Sequence, residues 1–214
     1  YRRTGYYGRY KKRYRAGQVI VERKFLDNYE ATLSVSSAGT VVGAGYLTIP
    51  LQSGESARNG RKIVVTKVQQ RIRLRWQLDA DDYSLNENAI RIMLAVDKQC
   101  NGVAASVASV IETANDPLFG FNNLSNKGRF VTLYDKWISF NRSYIATTGA
   151  TEVAKQRILK FNRKCRVPIL YDGTTGAIGD RCCNNLFLLM VTDHSDSGNH
   201  IDAAVHTRVR FMDV

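Results

Sequence analysis

The sequence predicts an all-β fold: a sandwich of short strands, for which the double-sheet jelly roll suits an even set of about eight strands. Three observations point there. Residues 68–78, VQQRIRLRWQL, put Ile72, Leu74, Trp76 and Leu78 on one face and Arg71, Arg73, Arg75 and Gln77 on the other, the period-two alternation of a half-buried strand. Several more segments rich in β-branched and aromatic residues follow, separated by Gly, Ser, Asn and Pro, and short strands with turn-rich connections argue for a sandwich or barrel. Only one stretch carries helical spacing. Periodicity alone leaves an immunoglobulin-like sandwich open beside the jelly roll.

Taken in order, the chain opens on a segment unlike the rest. Between Tyr1 and Arg15 stand Arg2, Arg3, Arg9, Lys11, Lys12, Arg13 and Arg15 with no acid, interleaved with Tyr1, Tyr6, Tyr7, Tyr10 and Tyr14. Such a segment buries too little surface to offset its ordering entropy and is expected to be disordered in isolation. Residues 1–18 therefore read as a basic arm and 19–214 as one folded domain. Val19, Val21 and Ala31 to Val35 are short β candidates, and Gly39, Gly43, Gly45, Pro50, Gly54 and Gly60 mark a turn-rich connection. After the alternating strand come Ala89 to Asp97, Arg129 to Phe140, Gln156 to Val167, Asn185 to Asp193 and Ala203 to Met212 as further strands. The last alternates Val205, Val209 and Phe211 against His206, Arg208 and Arg210. Val103 to Thr113, with apolar residues at 103, 107, 110 and 111, suits a short helix on a connection.

The 214 residues fit one all-β domain, and 44% hydrophobic residues provide a real core. Charge is the unusual property. Lys and Arg total 31 against 19 Asp and Glu, a formal +12, which points to a polyanionic partner, most often nucleic acid. No stretch approaches the roughly 20 apolar residues that span a bilayer, so no membrane partner is expected. The start lacks the apolar core of a secretory signal. Tyr1 is no initiating Met, and an arm longer than these residues is compatible with that. Cys100, Cys165, Cys182 and Cys183 have no paired C-x-x-C spacing and read as free thiols of a reducing compartment.

The motifs that suggest catalysis are weak, and the chain is expected not to be an enzyme, with no cofactor and no metal. Asp193-His194-Ser195 names a triad's residues, but neighbours on an extended chain point apart, whereas a triad is assembled in space. Asp79, Asp81 and Asp82 lack the spacing of a calcium loop and read as a polar turn. Residues 172–179, DGTTGAIG, lack the lysine of a P-loop and also read as a turn. A rival to the reading below is a cellular basic β-barrel that binds nucleic acid. An enzyme or lectin on the same sandwich would need a convergent polar site, which the sequence does not offer.

Arg58-Asn-Gly-Arg-Lys-Ile-Val-Val65 leads into the long alternating strand. Ile90 to Asp97 is followed by Lys98 and Gly102, and Asn126-Lys-Gly-Arg-Phe130 by Tyr134, Asp135 and Trp137. Lys155 to Val167 is strongly basic, and Thr207 to Asp213 closes the chain with R-V-R-F-M-D. In this order, behind a basic Tyr-rich start, these pieces resemble the coat proteins of eukaryotic circular single-stranded DNA viruses, the circovirus-like and geminivirus-like group. The resemblance covers nearly the whole chain, although the arm is shorter than the Arg tracts typical of circoviruses. It implies a jelly-roll subunit and a homo-oligomer, a closed icosahedral shell of sixty copies in the simplest case. It also implies a single-stranded DNA cargo, a place in the virion, and assembly in the host nucleus.

The residues expected to meet nucleic acid are Arg2, Arg3, Tyr7, Arg9, Tyr10, Lys11, Lys12, Arg13, Tyr14 and Arg15 in the arm, with Arg71, Arg73, Arg75, Arg208 and Arg210 on strands. Cations neutralise phosphates and each tyrosine ring offers a face to an unpaired base. On the implied jelly-roll topology the strand holding Arg71, Arg73 and Arg75 lies beside the one holding His206, Arg208 and Arg210. Like charges opposite one another destabilise a sheet, so this cluster is expected to look into the shell and be neutralised by packaged DNA.

Overall fold

The computed structural model describes residues 23–43, 46–78, 87–100, 102–112, 116–141, 155–195 and 199–214. Among the described residues nine strands form two antiparallel sheets: β1 (Arg23–Val35), β2 (Thr40–Val42), β3 (Lys62–Leu78), β4 (Glu87–Asp97), β5 (Phe130–Asn141), β6 (Lys155–Tyr171), β7 (Arg181–Cys183), β8 (Asn185–Thr192) and β9 (Asn199–Asp213). One turn of α-helix, α1 (Val107–Val110), and a 3-10 turn at Leu124–Asn126 lie between β4 and β5. One sheet runs β1-β9-β3-β6-β7 and the other β2-β8-β4-β5.

With the short β7 set aside, the pairing works inward from the two ends of the chain: β1 with β9, β2 with β8, β3 with β6, β4 with β5. These four pairs are the rungs of one long antiparallel hairpin. Rolling it up adds two contacts, β9 with β3 and β8 with β4, which join the rungs into two sheets. That is the jelly roll, and it removes the immunoglobulin-like alternative.

Between the sheets lies the main core. Ile72, Leu74 and Trp76 from β3 and Val205, Val209 and Phe211 from β9 pack against Ile90, Ile92 and Leu94 from β4 and Leu186, Leu188 and Met190 from β8. The Trp76 indole donates to Asn199 Oδ1 at 2.5 Å, so its one polar atom is satisfied. A second apolar cluster lies on the far side of β4 and β8, where Met93, Phe187, Leu189 and Val191 meet Ala105, Val110, Ile111 and Leu118 of the β4–β5 connection.

Local differences from the sequence reading have physical causes. The helix expected over 103–113 is one turn. Ser106 makes no side-chain cap, and Ile111 turns back to extended backbone and bridges Asn122; three β-branched residues in five positions favour that outcome. Strand β6 runs past Pro168, which pairs with Val64 where β7 has not yet begun, an edge position that tolerates the missing donor. Strand β2, of three residues, lies in a segment read as turns, and β7, also of three residues, in a stretch assigned to no element. The candidates Val19 and Val21 lie outside the described residues.

Strand β1 differs most from expectation. Lys24, Leu26, Asn28 and Glu30 share the inner face with Phe211, Val209, Thr207 and Val205 of β9, while Phe25, Asp27 and Tyr29 look outward. Lys24 is buried and anchored by Asp213 at 2.9 Å and by Asn59 Oδ1 at 3.1 Å. With polar residues inward and aromatics outward, the usual pattern is inverted, and only Ala31 to Val35 read as strand.

Candidate nucleic-acid interface

The outer face of the β1-β9-β3-β6 sheet is built from residues that alternate with the core residues just described, so the period that buries Ile72 and Val205 aims Arg71 and His206 outward. Register sets them in rows across the strands. Phe25, Arg210, Lys67 and Lys164 form one row; Asp27, Arg208, Gln69 and Asn162 the next; Tyr29, His206, Arg71 and Lys160 the third. Ala204, Arg73 and Ile158 follow, then Asp202, Arg75 and Gln156. These rows carry eight cations against two carboxylates.

The structure corrects the expected charge pattern in one respect. Strand β3 does lie beside β9, but Arg208 faces Gln69 and Arg73 faces Ala204, so no arginine of β3 stands directly opposite one of β9. Like charges meet in two rows only: Arg210, Lys67 and Lys164 in one, and His206, Arg71 and Lys160 in the other. Neutral residues between them lower the repulsion.

The cations also differ in how they are held. Arg208 donates twice to the Asp27 carboxylate, at 2.6 and 2.5 Å, and its guanidinium lies 4.8 Å from the Phe25 ring centre. These hydrogen bonds hold the Asp27 carboxyl below the usual aspartate range and raise Arg208 above its ordinary value. Arg210 donates to Gln69 Oε1 at 3.0 Å. Arg71, Arg73, Arg75 and Lys160 make no ion pair or side-chain hydrogen bond among the described residues. Two of the depressions beside them are lined by Arg71. One, of about 250 Å³, lies among Asp27, Gln69, Arg71, Lys160, His206 and Arg208. The other, of about 220 Å³, is lined by Tyr29, Arg71, Arg73, Ile158, Ala204 and His206.

No protein-family model and no curated protein matches this chain. Among solved structures, the chain is similar to Desmodium yellow mottle tymovirus, at 9% identity over 90% of this chain and 87% of that one, with a TM-score of 0.32. It is similar to a 60-mer BFDV capsid protein at 8% identity over 90% and 94%, TM-score 0.34. It is also similar to the Gt strain of infectious bursal disease virus at 10% identity, where it spans 33% of that longer chain, TM-score 0.26. These neighbours are viruses and a viral capsid protein. Superpositions this loose carry no argument, so the fold rests on the strand order above.

The remaining motifs resolve as follows. Ser195 Oγ lies 2.9 Å from Ser37 Oγ, while His194 lies 3.6 Å from Asp193, in the loop after β8. In the Gly-rich loop, the Asp180 carboxylate accepts from the amides of Thr175 and Gly176, both at 2.9 Å, and from the Thr175 hydroxyl at 2.6 Å. Those bonds lower its carboxyl from the ordinary value. The chain's own carboxylate thus fills the place where an anion would be cradled. Among the described residues no group of three His, Cys, Asp or Glu could hold a metal, and no helix is long and apolar enough to cross a membrane. All four cysteines are free, and burial pushes the Cys165 thiol up to about 11. Asp79, Asp81, Asp82 and the arm residues Arg2, Arg3, Tyr7, Arg9, Tyr10, Lys11, Lys12, Arg13, Tyr14 and Arg15 lie outside the described residues.

Sequence reasoning missed the contribution of β1. Tyr29, 62% exposed, meets His206 edge-to-face with ring centres 6.0 Å apart. The alternation Phe25, Asp27, Tyr29 was visible, but a search for apolar residues facing inward assigns the aromatics to the wrong side.

Proposed function

We propose that this chain is a viral coat protein that self-assembles into a small closed shell and packages single-stranded DNA. The arm and the outer face of the β1-β9-β3-β6 sheet hold the nucleic acid. The observation that carries the reading is the row of cations on β3. Arg71, Arg73 and Arg75 stand side by side on a regular sheet with no partner among the described residues, and such a face is most stable with a polyanion against it. The jelly-roll strand order agrees with a shell subunit.

In this reading the sheet face looks into the shell. Its cations displace condensed counterions from phosphates, which makes binding steeply salt-dependent and tolerant of sequence. Tyrosines of the arm stack on unpaired bases. Closed symmetry converts many weak contacts between copies into one stable particle. Phe119, Phe121 and Leu124 stand exposed on the β4–β5 connection, away from the cationic face, and are available for those contacts.

Electron microscopy of the purified chain, with nuclease treatment of co-purified nucleic acid, tests the proposal. Uniform particles that protect DNA are expected. A chain that stays a lone subunit in all solvents would favour the cellular β-barrel module, and protected RNA would overturn the choice of DNA. Shells with Arg71, Arg73 and Arg75 all changed to Ser should package less DNA; unchanged content removes the sheet face from the mechanism.

A further inference from the structure

The cationic face contains an apolar spot that charge neutralisation does not require. On β9 the outward row is interrupted by Ala204, which opens the depression of about 220 Å³. Tyr29 and Ile158, 62% and 60% exposed, flank it, and Arg71 and Arg73 stand at its rim. Two large side chains left in water amid charges are unfavourable unless something covers them, at about 25 cal/mol per Å² of apolar surface.

The two depressions lined by Arg71 differ in one decisive way. The larger holds the Asp27 carboxylate, already bound to Arg208, which repels a phosphate. The smaller has no acid in its lining: two guanidinium groups, an imidazole, an aromatic ring, an isoleucine and an alanine floor. Apolar walls with a cationic rim match one ligand chemistry, a flat heterocycle joined to anionic links.

We propose that this depression is a base slot: an unpaired base of single-stranded DNA enters it and stacks on Tyr29, while Arg71 and Arg73 hold the flanking phosphates. The inference rests on the proposed packaging role and adds selectivity to it. Phosphates alone attract duplex and single strand alike, whereas a slot accepts only a base free of its partner. The His206 ring meets the Tyr29 ring edge-to-face at 88°, and the alanine leaves room for the base.

The test uses the full chain mixed with a labelled single-stranded DNA oligonucleotide, or its duplex, before particles form, across a salt series. Tyr29→Ala should weaken single-strand binding roughly tenfold, the worth of about one stacked base, with the salt slope and duplex binding unchanged. Tyr29→Phe should bind as the original chain does. Changing Arg71 and Arg73 to Ser should instead flatten the slope by roughly 1.4, two phosphates' share. Photocrosslinking with iodouracil-substituted DNA should place an adduct on Tyr29. Adducts confined to Tyr1–Arg15, equal losses on duplex, or equal competition by polyglutamate would each overturn the slot and leave the packaging reading intact. An original chain that ignores single-stranded DNA at low salt overturns the packaging reading itself.

Discussion

The two sheets solve the same problem in opposite ways. Each has an outer face that the sandwich core leaves uncovered. On the β2-β8-β4-β5 sheet the chain covers that face itself: the β4–β5 connection lays Ala105, Val110, Ile111 and Leu118 over Met93, Phe187, Leu189 and Val191. On the other sheet nothing among the described residues covers the rows of β9, β3 and β6. One residue type shows the contrast. Arg91, on the covered sheet, donates to both Asp135 oxygens at 3.0 and 2.8 Å and to the Gly120 carbonyl at 2.6 Å, and lies 4.4 Å from the Trp137 ring centre. Arg71 has no such partner. The first arginine is enclosed by the fold, and the second is left open by it.

Stability should therefore divide between the faces. The largest effect is expected at Phe187, buried beneath the covering connection and edge-on to Phe130 with ring centres 6.1 Å apart. Phe187→Ala should cost about 3–5 kcal/mol in denaturant unfolding, the range for a large aromatic deleted from a core. Arg91→Ala follows at roughly 3 kcal/mol, because Asp135 and the Gly120 carbonyl lose their donor in a mostly buried site. Changing Arg71, Arg73 and Arg75 to Ser should move unfolding by no more than about 1 kcal/mol. The same triple variant should flatten the salt dependence of single-strand DNA binding by roughly 2. If the triple variant unfolded as readily as Phe187→Ala, the open face would be structural and the contrast would collapse.

The covered face was legible for the same reason that it is covered. Strand β8 reads NLFLLMVT and is buried at every position, and a continuous apolar run signals a strand with both faces packed. Strands β3 and β9 alternate, which signals one packed face and one open, and the identity of the open residues, arginine after arginine, suggested what they meet. Strand pairing was not legible in the residues, because period two fixes which face is buried and says nothing of which neighbour lies alongside. Registers such as Arg208 opposite Gln69 had to come from the structure. Tyr29 was hidden by inversion: Lys24, Asn28 and Glu30 point inward on β1, where Lys24 is tolerated because Asp213 and Asn59 receive it.

The smallest expected effect is the most discriminating, because it lies on the open face yet concerns a pair the fold has made. Asp27 holds Arg208 on both oxygens, with side chains 36% and 43% exposed, so water screens the pair and its contribution at neutral pH should be small. The Asp27 carboxyl is lowered from its ordinary value, first by the Arg208 hydrogen bonds. Its contribution is therefore complete above the unfolded aspartate value of about 4 and is lost as pH falls through the lower, folded one. Asp27→Asn should be slightly less stable than the original chain at pH 7, and the difference should vanish only in acid below the lowered Asp27 value. Loss of the carboxylate also frees Arg208 for a phosphate, so the variant should bind single-stranded DNA more tightly, its salt slope steeper by roughly 0.7. A variant with lower stability and an unchanged slope would move Arg208 to the structural side of the comparison and confine the DNA surface to β3 and β6.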